Sequence, residues 1–213
     1  MLIGLFDSGV GGLTVMNACK KALPACDFLY LDESANAPYG EKSDEDIENI
    51  VGKNLSLLFS AGCSAAVIAC NTASTVSLPA LREKFAFPVV GVVPAIKPAA
   101  RLTANGIVGL LATRGTVKRP YTRELIDRFA NECRIEMLGS AELVELAEAK
   151  LHGEPVPLEE LRRILRPWLR MQEPPDTVVL GCTHFPYFKE ALCRRTDLPL
   201  IDPAQRMLEL LEA

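Results

Sequence analysis

Short apolar runs set between longer stretches of mixed polarity constrain this chain more than any other feature. The runs cover residues 2–6, 28–31, 65–69, 89–93, 107–111, 177–180 and 198–201. Bounded by turn residues and too short for buried helices, they have the pattern of strands covered on both faces. Between them apolar positions recur near the 3.6-residue period. Over 44–60 they fall at Ile47, Ile50, Val51, Leu55, Leu58 and Phe59, and 119–131, 141–151 and 158–171 follow the same pattern. Alternating strand and helix predict an α/β fold with mainly parallel sheet and right-handed crossovers. In such folds chemistry gathers just beyond the carboxyl ends of the strands.

The chain has 213 residues, enough for one large domain or two small ones. A 49% hydrophobic content with a net charge of only −4 excludes an intrinsically disordered chain. The slight acidic excess argues against direct nucleic-acid binding. No apolar run approaches the roughly 18 residues a membrane span requires. The N-terminus lacks the basic segment of a secretory signal, so a cytoplasmic location is expected, with no membrane partner. The seven cysteines (19, 26, 63, 70, 133, 182 and 193) form no C-x-x-C pair, so neither a disulfide framework nor a zinc ribbon is expected. Most are expected to be small core residues. A proline-rich segment, Pro88, Pro94 and Pro98, reads as a hinge between two halves, with a second crossing near Asp202-Pro203.

Two of the strand ends echo each other. A-A-V-I-A-C-N-T at 65–72 is matched by T-V-V-L-G-C-T-H at 177–184. Each is an apolar strand that ends in a small residue, then cysteine, then side chains able to hydrogen-bond. A thiol at such a junction feels the field of the following helix N-terminus, which predicts a pKa lowered toward neutrality. Asn71 and Thr72 add donors for a carboxylate. At the second site Cys182 stands two residues from His184, one of only two histidines in the chain. That pairing allows a nucleophile with its base, an acid/base thiol tuned by imidazole, or a metal site. Metal is the weakest of the three, since no spacing supplies further ligands.

The first strand runs into F-D-S-G-V-G-G-L-T at 6–14. Its glycines permit a tight turn with exposed N–H groups that suit an anion. Thr14 stands where a dinucleotide fingerprint needs glycine, and no Walker lysine follows. Asp7 either holds a substrate ammonium group, orients a neighbouring acid/base, or caps the next helix with Ser8. A fourth segment, N-A-P-Y-G-E-K-S at 36–43, could present the Tyr39 hydroxyl and the Gly40 N–H to a ligand.

Taken in order, F-D-S-G-V-G-G-L at 6–13, P-Y-G-E-K-S at 38–43, A-C-N-T-A-S at 69–74 and G-C-T-H-F-P at 181–186 resemble the glutamate racemase family of the aspartate/glutamate racemase superfamily. The resemblance runs from the first strand to about Asp202 and is nearest to the gamma-proteobacterial branch. It implies two pseudo-symmetric three-layer α/β halves with the active site in the cleft between them. The expected division is 1–94 with 203–213, and 95–202.

It also implies cofactor-independent interconversion of L- and D-glutamate for peptidoglycan synthesis, with neither pyridoxal phosphate nor metal. In that assignment Cys70 takes the α-proton of D-glutamate and Cys182 that of L-glutamate. Asp7 and His184 flank and tune them. Asp7, Ser8, Tyr39, Gly40, Asn71, Thr72, Thr183 and His184 hold substrate, and Glu148 is an auxiliary acid. In that branch UDP-N-acetylmuramoyl-L-alanine is an activator, which the resemblance would place on Gly91, Val92, Val93, Pro94, Ala95, Ile96 and Lys97, with Arg82 nearby. A monomer or homodimer is expected.

Two departures from the family's pattern stand out. The chain begins almost at the first strand. After residue 201 it leads only into one short helix at 206–212, where family members continue through a further strand and helices, so the resemblance implies a C-terminally shortened member. Aspartate racemisation, a Cys-His hydrolase that leaves Cys70 idle, and a non-catalytic ligand-binding paralogue are the alternative readings.

Overall fold

A computed structural model describes residues 1–155, 158–190, 192 and 200–202. The chain divides into two compact units, the first over Met1–Val93 and the second over Pro94–Asp202. The expected helix at 206–212, and with it segment 203–213, lies outside the described residues.

The first unit holds β1 (Leu2–Asp7), α1 (Leu13–Ala22), β2 (Asp27–Asp32), α2 (Asp44–Ser60), β3 (Ala65–Ile68), α3 (Asn71–Lys84) and β4 (Val89–Gly91). Its sheet is parallel, in the order β2-β1-β3-β4. Alternate strand residues serve opposite faces, as the pleat requires. Phe6, Ala66 and Ile68 pack with Ile47, Val51, Leu55 and Leu58 of α2 and with Leu78 and Leu81 of α3. Ile3, Leu5 and Val67 pack with Val15 and Cys19 of α1. Helices therefore cover both faces, giving three layers. Each large aliphatic side chain buried this way stabilises the fold by about 1.5–3 kcal/mol.

The second unit repeats the plan with α4 (Ile96–Leu102), β5 (Ile107–Ala112), α5 (Arg114–Lys118), α6 (Pro120–Phe129), β6 (Arg134–Gly139), α7 (Glu142–Leu151), α8 (Leu158–Leu169), β7 (Thr177–Gly181) and β8 (Leu200–Ile201). Its parallel order, β6-β5-β7-β8, is that of the first sheet transposed strand for strand. The two strands that end in the echoed cysteine motifs, β3 and β7, are thus topological equivalents. On one face α8 sends Leu161, Ile164, Leu165 and Trp168 against Val178 and Leu180; on the other, Ile96 and Ala99 of α4 meet Val108, Leu110 and Val179. Gly109 of β5 has no room for more: a Cβ there would meet the Trp168 ring at 2.9 Å.

The reading of the sequence overlooked β6, the edge strand of its sheet. Its segment R-I-E-M-L-G is half exposed, and Arg134 Nε donates to Glu136 Oε1 at 2.6 Å along it. Such a strand carries no continuous apolar run. The segment read only as a hinge also forms α4, because Ile96 and Ala99 are core residues. At the opposite, amino-terminal end of the second sheet, the Asp176 carboxylate accepts from Thr103 Oγ1 and from the N–H groups of Ala104 and Asn105 at 2.6–2.8 Å. These bonds hold that carboxyl below its ordinary pKa despite the opposing effect of burial.

Candidate active site

β1 and β3 are neighbours in register, Phe6 beside Ile68, so their carboxyl ends deliver Asp7, Ser8 and Cys70 together. Asp7 is fully buried. Neither it nor Ser8 stands at an N-cap position: the turn at Val10–Gly12 starts from Gly9 and α1 from Gly12. The loop is drawn tightly over the carboxylate. A Cβ on Gly12 would lie 2.5 Å from Asp7 Cβ, and Tyr30 Oη pins the loop by donating to Gly9 O at 2.5 Å.

Cys70 is the N-cap of α3, its sulfur accepting from Ala73 N–H at 3.4 Å, and Ser8 Oγ donates to the same sulfur at 3.2 Å. These contacts favour thiolate, as the expected helix field would. They do not prevail. Burial first, and the Asp7 carboxylate second, push the thiol up to about 12, against the pull of Ser8 and of the Ala73 and Thr72 N–H groups. The expected shift toward neutrality is therefore reversed, because desolvating a thiolate outweighs one helix end. Because the folded pKa is raised, this site stabilises the fold fully below about pH 9, and that contribution is lost as pH rises toward about 12. Asp7→Asn removes the adjacent charge and is expected to lower the pH at which Cys70 ionises. Thiolate ultraviolet absorbance, referenced to a Cys70→Ser variant, measures this; an unchanged titration would refute the coupling.

The first turn of α3 is unusually polar for buried helix. Three hydroxyls of the first two turns are satisfied by backbone: Ser74 Oγ donates to Ile68 O, Thr75 Oγ1 to Thr72 O and Ser77 Oγ to Ala73 O. Asn71 differs. It is 1% exposed, and neither oxygen nor nitrogen of its amide has a partner among the described residues. A buried, unmatched amide costs about 1–3 kcal/mol, so it points to a polar ligand that completes it. Thr72 is buried beside it. Tyr39, in the turn Tyr39–Glu41 with Gly40, is buried against Phe6 and donates from Oη to Glu33 Oε2 at 2.6 Å.

In the second unit Cys182 follows β7, and Cys182, Thr183 and His184 are all buried. Cys182 Sγ lies 3.8 Å from His184 Nδ1, and His184 Nε2 lies 2.5 Å from Glu148 Oε1 of α7. A carboxylate facing Nε2 keeps the proton there in the neutral ring, which leaves the Nδ1 lone pair toward the thiol. Lys150 grips the same loop by donating from Nζ to Tyr187 O at 2.5 Å. Thr113 went unnoticed in the sequence. It follows β5, whose Ala112 pairs with Gly181, and its Oγ1 caps α5 by accepting from Thr116 N–H at 3.1 Å. The strand-end rule that picks out Cys70 and Cys182 points to this loop as well.

The segment expected to take an activator lies around β4 and the start of α4. Gly91, Val92, Pro94, Ala95 and Ile96 are buried and Val93 is half-buried, and the side chains of Val92, Ala95 and Ile96 belong to the cores. Arg82 is exposed with Nε donating to Val89 O at 3.0 Å, and Lys97 lies 5.3 Å from the centroid of the Phe129 ring. Among the described residues no group of three or more His, Cys, Asp or Glu could hold a metal ion, and no helix is long and apolar enough to cross a membrane.

Comparison with known proteins adds an independent line. The model of the Asp/Glu/Hydantoin racemase family matches residues 3–211. A glutamate racemase of Klebsiella pneumoniae is 77% identical over 191 residues, 89% of this chain and 68% of that protein. The crystal structure of Escherichia coli glutamate racemase with L-glutamate and the activator UDP-MurNAc-Ala superimposes with a TM-score of 0.94 at 62% identity, covering 99% of this chain and 80% of that one. Francisella tularensis glutamate racemase with D-glutamate gives a TM-score of 0.84 at 28% identity, covering 99% and 79%.

Proposed function

Since this chain belongs to the Asp/Glu/Hydantoin racemase family, we propose that it interconverts L- and D-glutamate by moving the α-proton between two thiols, Cys70 and Cys182. The observation that carries the residue assignment is the matched pair of strand ends. In each unit the strand that neighbours the central β1 or β5 on the same side ends in a buried cysteine, and each cysteine has its own polar escort. Asp7 and Ser8 stand by Cys70, and His184 backed by Glu148 stands by Cys182.

The chemistry demands such a pair. An α-proton of an amino acid is very weakly acidic, and inversion requires its removal on one face and its return on the other. One thiolate and one thiol, addressed to opposite faces of one α-carbon, do this without moving the substrate. Cys70 takes the proton from D-glutamate while Cys182 protonates the far face; the roles exchange for L-glutamate. Neither pyridoxal phosphate nor a metal takes part. Asp7 raises the basicity of the Cys70 thiolate once formed, and His184, polarised by Glu148, relays charge at Cys182. Asn71, Thr72, Thr183, Ser8 and the Tyr39-Gly40 turn supply the hydrogen bonds that fix the ammonium and carboxylate groups, with the unmatched Asn71 amide the best supported of them.

The domain division that goes with this reading assigns 1–94 with 203–213 to the Cys70 half and 95–202 to the Cys182 half. Supply of D-glutamate to peptidoglycan and a cytoplasmic location complete it, since reduced thiols persist in a reducing compartment. UDP-N-acetylmuramoyl-L-alanine is the proposed activator, with Arg82 and Lys97 as cationic partners for its diphosphate. Circular dichroism of D- and L-glutamate in deuterated solvent, with and without that precursor, tests the function. Optical activity is expected to decay toward zero from both enantiomers with deuterium at the α-carbon; a signal constant under every condition would refute it.

A further inference from the structure

Glu33 is bound to the site at three points. Its own N–H donates to the carbonyl of Asp7 at 2.9 Å, which fixes it at the end of β1. Its carboxylate accepts from Asn36 Nδ2 at 2.5 Å through Oε1 and from the Tyr39 hydroxyl at 2.6 Å through Oε2. A tyrosine hydroxyl has one proton and can give it only once. With that proton held by a carboxylate, in a charge-assisted bond of the stronger kind, Oη offers a ligand nothing but lone pairs. It can then accept from an ammonium group but cannot donate to a carboxylate.

We propose that Glu33 is a positioning residue that, by accepting the one hydrogen bond the Tyr39 hydroxyl can donate, makes this hydroxyl an acceptor reserved for the ammonium group of the substrate. The inference rests on the reading that Tyr39 belongs to the substrate site, and it adds which end of the amino acid Tyr39 serves. The carboxylates are left to the donors, Asn71 and the backbone N–H groups of the surrounding turns. The electrostatics agree with this geometry. Burial, and after it the Glu33 hydrogen bond and charge, hold the Tyr39 hydroxyl well above its ordinary ionisation range, with Cys70 and Asp7 adding to the effect.

The test compares glutamate with glutarate, the same dicarboxylate without the amino group. Glu33→Ala and Tyr39→Phe are each expected to raise the KM for glutamate about tenfold, the loss of one charge-assisted hydrogen bond. kcat should stay within about threefold, and the inhibition constant of glutarate should not rise. Combined, the two substitutions should cost no more than either alone. Glu33→Gln retains an acceptor oxygen and should restore most of the affinity.

Tyrosinate absorbance, referenced to Tyr39→Phe, should show Tyr39 ionising at lower pH in both Glu33 variants, and this readout needs no activity. Weaker glutarate binding in step with glutamate, or a Glu33→Ala effect that persists in the Tyr39→Phe background, overturns the proposal. So does a Tyr39 titration indifferent to Glu33. An unchanged KM in Tyr39→Phe overturns it alone and leaves the two-cysteine reading standing, whereas racemisation that survives Cys70→Ser overturns that reading instead.

Discussion

Replacing Cys70 with serine is expected to lower kcat/KM by about 10³-fold in both directions, within the range that positioned acid–base groups supply. The substitution is chosen because it separates chemistry from structure. Serine is a preferred helix N-cap, so its hydroxyl can accept from Ala73 N–H as the sulfur does, and the polar first turn of α3 keeps its bonds. What it cannot supply is a base, since an alcohol is far less acidic than even the raised thiol of Cys70. Equal loss from both enantiomers is required by thermodynamics. D- and L-glutamate have the same free energy in water, so the ratio of the two kcat/KM values is fixed at unity for any variant. A hydrolase built on Cys182 and His184 would be indifferent to this change. Polarimetric progress curves that retain more than about a tenth of the wild-type rate would leave Cys70 outside the proton path.

The strands that lie in the middle of each sheet were legible because burial on both faces leaves a continuous apolar run: β1, β3, β5 and β7 all stand where such runs do. β6 was not, since an edge position lets Arg134 and Glu136 alternate with apolar residues. The site divides in the same way. Asp7-Ser8, Asn71-Thr72 and Thr183-His184 each lie at or just past a strand end, and that position marks them, whereas Tyr39-Gly40 by itself reads as an ordinary turn and stands out only through the P-Y-G-E-K-S resemblance. The bond from His184 to Glu148 spans 36 residues and arises only because α7 packs along the β7 turn. The ionisation of Cys70 was misjudged for a related reason. A helix end is a local feature, whereas burial and the neighbouring Asp7 come from the folding of β1 onto β3. Glu33 left no local signal at all, being one acidic residue in a polar loop until the turn at Tyr39 folds back on it.

His184→Asn carries the second large effect, and isotope effects make it specific. It is expected to lower kcat/KM about 10²-fold, again equally for both enantiomers. The substitution removes the ring that lies between the Cys182 sulfur and Glu148, so proton transfer at Cys182 slows while transfer at Cys70 does not. With L-glutamate deuterated at the α-carbon, Cys182 performs the abstraction, and the substrate isotope effect should grow. With deuterated D-glutamate the slowed step is reprotonation, so the substrate effect should shrink and a solvent isotope effect should take its place. Glu148→Gln should move both effects in the same directions by a smaller amount, because a glutamine oxygen still accepts from Nε2–H but no longer compensates a protonated ring. A loss of rate with isotope effects that change identically for the two enantiomers would mean that His184 acts on substrate binding or on the fold alone. An increase confined to D-glutamate would either transfer His184 to the Cys70 side or, with His184 kept beside Cys182, exchange the roles of the two thiols.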